Sequence, residues 1–111
     1  MVMEHIVFTI ISYSGDARSS AMEAIQFAKI GDFEKAEIKL KDATEKLALA
    51  HKEQTQLIQA EAGGERSEIS LLLIHAQDHL MNAMTIKDMA NEFIELYRKM
   101  GLDQMDSEGV G

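Results

Sequence analysis

The chain has 111 residues, which fits one domain and leaves no room for two, and its 46% hydrophobic, 27% charged composition is that of a folding globular chain. Nineteen acidic residues against eleven basic give a net charge of −8, which opposes binding to nucleic acid or to an anionic membrane. The absence of cysteine excludes disulfides, thiolate metal sites and cysteine nucleophiles, and the absence of proline suits long unbroken helices. No apolar run approaches the roughly 18–20 residues of a membrane span. The first residues lack the basic flank of a signal peptide, so a cytoplasmic protein is expected.

Breakers are few and divide the chain into three helical segments. Gly31-Asp32 and Gly63-Gly64 interrupt the pattern, Gly101 closes it, and Gly15 stands alone inside the first segment, where a lone glycine costs about 1 kcal/mol against alanine. Helix one is predicted over about 3–30, helix two over about 33–61 and helix three over about 67–100, with Asp32 and Ser67 as caps for the second and third. Helix one carries Ile6, Ile10, Tyr13, Ala17, Ala21, Ala24 and Ala28 at three- and four-residue steps. Helix two carries Phe33, Ala36, Leu40, Ala43, Leu47, Ala50 and Leu57 in the same way. Each is an amphipathic helix with one core stripe, and short connections make neighbours antiparallel. The mix of Glu, Asp and Lys from Glu34 to Lys46 reads as a solvated helix face. One domain is expected over residues 1–102, and the acidic segment 103–111 is expected to be disordered.

Helix three carries more apolar surface than a small bundle can use. With angles taken from position 75 at about 100° per residue, Leu72, Leu73, Ala76, Leu80, Ala83, Ile86, Ala90, Phe93, Ile94, Tyr97 and Ile69 fill an arc from about 0° to 160°. That arc is enough for the core. Lys87 lies inside it, so its stem should lie flat while the ammonium reaches water. Leu71, Met89, Leu96 and Met100 fall outside, between about −60° and 0°, with Ile74 and Met81 further round. Exposed apolar patches of that size are rare on monomers, so a homo-oligomer with the middle of helix three near its centre is expected.

Polar groups interrupt this second arc. His75, Asp78, His79 and Asn82 sit among Leu71–Ile74 and Leu80-Met81, where burial is costly unless they are paired. Asp78 lies about 60° to one side of His75 and His79 about 40° to the other. Four chemistries fit. The residues can form a structural polar layer at an oligomer interface. His75 and His79, four residues apart, can share a transition metal, although no third ligand stands nearby. Asp78, repeated by symmetry, can gather carboxylates around a hard cation. His75 can act as a nucleophile toward phosphorus, with its second nitrogen fixed by an acceptor. The last two are compatible. His5, near the start of the chain, and His51, on helix two, read as surface residues.

Four segments carry a family resemblance: Ser14–Ser19 with Ala21–Ala24, Gly31–Ala36, His51–Gly63 and, most specific, Ile74–Met81 (IHAQDHLM). Over about 4–100 the sequence closely resembles the enzyme IIA component of the lactose/cellobiose/chitobiose branch of the bacterial sugar phosphotransferase system. The resemblance implies an all-α, antiparallel three-helix bundle assembling as a homotrimer, a nine-helix bundle. It implies that His75 is the phosphorylated residue, on its tele nitrogen, that Asp78 holds a Mg²⁺ on the threefold axis, one per trimer, and that Gln77 and His79 are pocket residues. The implied donor is the histidine-containing phosphocarrier protein. The implied acceptor is a Cys of a sugar-specific IIB component, which serves the membrane component IIC. A rim of Leu71, Met81 and Met89 would suit docking of two different partners, methionine being adaptable. The competing expectation is a non-catalytic oligomerisation or adaptor module with His75 and Asp78 as a structural polar layer.

Overall fold

The structure, a computed structural model, describes the backbone of residues 2–65 and 69–110 and the side chains of 4–65 and 69–101. It consists of three helices, α1 (Val2–Lys29), α2 (Phe33–Ala62) and α3 (Leu71–Val110), with no strand among the described residues. They form a rod of 68 × 20 × 19 Å.

Both turns follow from a glycine. At the end of α1, Gly31 takes φ +80°, the Asp32 N–H donates to the Phe27 carbonyl at 3.0 Å and the Gly31 N–H to that of Ala28 at 3.1 Å. At the end of α2, Gly64 takes φ +98°, the Glu65 N–H donates to the Ala60 carbonyl at 3.0 Å and the Gly64 N–H to that of Glu61 at 3.1 Å. Each is a Schellman closure, which satisfies carbonyls the helix would leave unpaired and places in the left-handed region a residue that only glycine occupies cheaply. Asp32 closes α1 and opens α2 at once, its side chain accepting from the Lys35 N–H at 3.1 Å as expected of the cap.

Helix α3 departs from expectation at both ends. Ser67, the expected cap, lies outside the described residues. Ser70 takes the capping role instead, its Oγ accepting from the Leu73 N–H at 3.1 Å. Ile69, assigned to the core arc, precedes the helix and is 83% exposed. At the far end Gly101 does not stop the helix, and segment 103–111, expected to be disordered, is helical as far as Val110. A single glycine that keeps helical dihedrals costs only about 1 kcal/mol, and no proline follows to force an exit.

The predicted stripes make the core. Ile6, Ile10, Ala17, Ala21, Ala24 and Ala28 of α1 are buried, as are Ala36, Leu40, Ala43, Leu47 and Ala50 of α2 and Ala76, Leu80, Ala83, Ala90 and Ile94 of α3. Alanines at seven-residue steps, 36-43-50 and 76-83-90, let the backbones approach closely. Tyr13, Phe33, Leu57, Leu73, Ile86 and Tyr97 pack against this core from its margins, whereas Leu72 and Phe93, expected inside it, stay exposed at its edge. Lys87 lies with its side chain 28% exposed and its ammonium 2.9 Å from Asp88, the flat stem and outward head its position implied.

Cross-helix pairs fix the directions. Glu23 meets Lys39 at 2.8 Å, and Ser20 donates to Asp42 at 2.6 Å, so α1 and α2 are antiparallel. The hydrogen bond and charge of Glu23 raise the Lys39 pKa above the ordinary lysine value. Gln54 donates to Gln77, and Arg98 reaches Glu37 at 3.0 Å while lying over the Phe33 ring at 5.2 Å, so α2 and α3 are antiparallel as well. Helix α1 packs closely on both others, and α2 and α3 meet sparsely. The start of α3 therefore lies at the end of the rod that also holds the start of α1 and the end of α2.

Candidate functional site

The second arc of α3 is unburied within one chain. Leu71 is 83% exposed and Met81 58%, and Ile74, Met89, Leu96 and Met100 are each at least half exposed. By the same helical angles Asp78, at about −60°, falls among Leu71, Met89 and Leu96, at about −40° to −60°. A carboxylate thus stands inside the apolar stripe rather than beside it.

His75 sits in the second turn of α3 and is exposed, the condition that a ring meeting outside partners must satisfy. It lines an open depression of about 680 Å³ with Leu71, Leu72, Ile74 and Asp78. Three of its five lining residues, Leu71, Leu72 and Ile74, are apolar, so the floor beside the imidazole is largely apolar and the one carboxylate there is that of Asp78. The Leu71 side chain, also expected in a docking rim, borders this depression; Met81 and Met89 are exposed on α3 beyond it.

The neighbours of His75 divide by chemistry. On one side the His79 ring stands edge-on to it, with centroids 4.4 Å apart and planes at 82°. His79 is half-buried, which limits its motion more than that of the exposed ring. On the other side Asp78 accepts from the Asn82 amide at 3.3 Å, a pair one helical turn apart that orients the carboxylate. Gln77 is not brought to this cluster. It projects about 200° from His75 around the helix and accepts from the Gln54 amide of α2, tying the two sparsely packed helices together. Gln54 carried no signal in the sequence, because one polar residue among many on α2 does not reveal its partner on another helix. His51 and His5 are exposed, as expected of surface residues.

A hard, oxygen-ligated cation can be considered only across copies. Among the described residues of one chain no group of three histidine or acidic side chains is placed to hold one. A hard divalent cation takes about six oxygen ligands, and Asp78 supplies one carboxylate per chain, so the donor set fits such an ion only where several copies converge. Among the described residues no helix is long and apolar enough to cross a membrane.

Comparison with known proteins places these features in context. Residues 5–98 match the family described as PTS system, lactose/cellobiose specific IIA subunit. The chain is 64% identical over 98 residues, 88% of this chain and 89% of the relative, to the lichenan-specific phosphotransferase enzyme IIA component of Bacillus subtilis. Its fold matches the crystal structure of the cellobiose-specific enzyme IIA from Bacillus anthracis with a TM-score of 0.88 and 56% identity, over 89% of this chain and 91% of the other. It also matches the IIA(chitobiose) chain in its complex with HPr from the Escherichia coli phosphotransferase system, with a TM-score of 0.77 and 41% identity, over 88% and 95% of the two chains.

Proposed function

Since the chain belongs to the lactose/cellobiose-specific IIA family of the sugar phosphotransferase system, and is a IIA component of that type, we propose that His75 is its phosphoryl carrier. The phosphocarrier HPr presents phosphohistidine. The lone pair of His75 Nε2 attacks the phosphorus, the donor's N–P bond breaks and the donor imidazole recovers its electron pair. In the second half a Cys thiolate of a sugar-specific IIB component attacks the same phosphorus, an S–P bond forms and His75 leaves as imidazole. The phosphoryl group then serves sugar uptake through IIC, and the sugar never touches this chain. The names of the lichenan- and cellobiose-specific relatives support an oligosaccharide of that β-glucan type as the cargo.

The observation that carries this reading is the exposed imidazole of His75 at the edge of an apolar depression. Transfer of a phosphoryl group asks a protein for alignment and charge placement more than for covalent chemistry. An apolar floor excludes water from one side of the ring while leaving the other open to a docking partner. Copies packed along the α3 stripe would cover Leu71, Met81 and Met89, which are exposed in one chain, so donor and acceptor would meet the open face of the His75 ring rather than that rim.

The same reading assembles three copies around the α3 stripe and brings three Asp78 carboxylates to the axis. A Mg²⁺ held there, with water completing its shell, would neutralise their mutual repulsion. Asn82 holds each carboxylate in orientation. A cytoplasmic location follows from these partners. To test the carrier, the chain is mixed with phosphorylated HPr: acid-labile phosphate should appear on His75, and His75→Ala should stay assembled and unlabelled. Labelling that survives the substitution rules His75 out, and a protein that never labels leaves only the adaptor role.

A further inference from the structure

His75, exposed, and His79, half-exposed, are two imidazoles one helical turn apart that meet edge-on, with ring centroids 4.4 Å apart. We propose that this pair chelates a transition-metal divalent cation of the Zn²⁺, Ni²⁺ or Cu²⁺ class, separate from any hard cation on Asp78, and that the bound ion blocks the carrier.

Two imidazole nitrogens at about 2.0–2.1 Å from one ion stand roughly 3 Å apart. Four-residue spacing on a helix gives that geometry, as in the paired histidines of zinc-binding helices. The rings are near enough that rotation of the exposed His75 ring brings a nitrogen of each to a common point. The half-buried His79 supplies the fixed arm. Because the described residues offer no third acidic or histidine side chain, water completes the shell, and the site is open rather than structural. Donor type separates the two cation chemistries on this helix. Nitrogen donors lie on the His79 side of His75, and the carboxylate and amide oxygens of Asp78 and Asn82 lie on the other. Imidazoles select borderline cations, and oxygens select Mg²⁺.

The block on the carrier rests on the proposed function. Coordination through Nε2, the nitrogen that attacks phosphorus, occupies its lone pair, so the ion and the phosphoryl group compete for the same atom of His75. Chelation itself does not depend on that reading, and the two are tested apart. Without any phosphoryl donor, the chelator-stripped chain is titrated with ZnCl₂ while heat and the imidazole NMR signals are recorded. We expect about one ion per chain, with the signals of His75 and His79 moving together. Binding should strengthen with Cu²⁺, following the usual affinity order, and should be indifferent to Mg²⁺. His79→Gln should lose at least tenfold in Zn²⁺ affinity, since even changes outside a ligand shell cost about 10–100-fold. Wild-type affinity in His79→Gln, or loss of the ion in Asp78→Asn instead, overturns the chelate. Because signal movement is read on the wild-type chain, the result stands even if a variant misfolds. In the second arm, saturating Zn²⁺ should suppress labelling of the wild type by phosphorylated HPr. Whatever labelling His79→Gln retains should resist the same Zn²⁺ concentration. Wild-type labelling untouched by bound Zn²⁺ overturns the block.

Discussion

Met89→Glu tests the proposed assembly of three copies along α3. Six side chains of the α3 stripe, Leu71, Ile74, Met81, Met89, Leu96 and Met100, are between 50% and 83% exposed in one chain. Full burial of such a side chain is worth about 1.5–3 kcal/mol, so covering the exposed half of six contributes roughly 4–9 kcal/mol per chain to association. Glutamate at position 89 removes about 1 kcal/mol of that burial and sets a carboxylate in an apolar seam, where desolvation costs several kcal/mol for each ion. Three such charges cancel most of the gain. The fold of a single chain should persist, because Met89 is half exposed there and its core neighbour Ala90 is untouched. Sedimentation velocity should show the wild type at three times its 12.4 kDa chain mass and the variant at one, with unchanged helical circular dichroism. A variant that still sediments as a trimer at micromolar concentration would refute burial of this stripe between copies.

Asp78→Leu should keep or strengthen the assembly while abolishing Mg²⁺ binding, because three converging carboxylates are costly without a cation; calorimetry with MgCl₂ and sedimentation check the two halves, and dissociation would contradict the axial placement. Leu80→Ala empties a fully buried position in the third turn of α3 and should cost about 3–5 kcal/mol in urea denaturation, against about 2 if the core collapses around it and only the transfer cost remains; a loss below about 1 would contradict the burial of Leu80. Ser14→Ala should leave stability unchanged or raise it by about 1 kcal/mol, since the buried Ser14 Oγ has no hydrogen-bond partner among the described residues; a loss of more than 1 kcal/mol in the same assay would mean that the hydroxyl is satisfied.

The sequence made the core legible because alanines and large aliphatics fall at three- and four-residue steps, and those steps hold for nearly every residue they assigned. Caps were legible only where one polar residue stood at the junction. Asp32 is alone between two helical patterns, but Ser67 and Ser70 compete ahead of Leu71, and periodicity does not choose between them. Gly101 misled as a stop because its effect depends on dihedral angle: Gly31 and Gly64 take positive φ, and Gly101 is not among the positive-φ glycines of the described residues. At the site, the neighbours of His75 along its own helix, Asp78, His79 and Asn82, followed from angular spacing. Gln77 came only by resemblance, and its pairing with Gln54 depends on how α2 and α3 approach, which spacing within one helix does not encode.

Helix α3 has 40 residues against 28 and 30 in its partners, and His75 is its fifth. At 1.5 Å per residue, Val110 stands roughly 50 Å along the axis from the imidazole. A dye or affinity tag joined past Val110 therefore reports on the molecule without crowding its visitors, whereas one placed ahead of His5 sits at the end where they arrive.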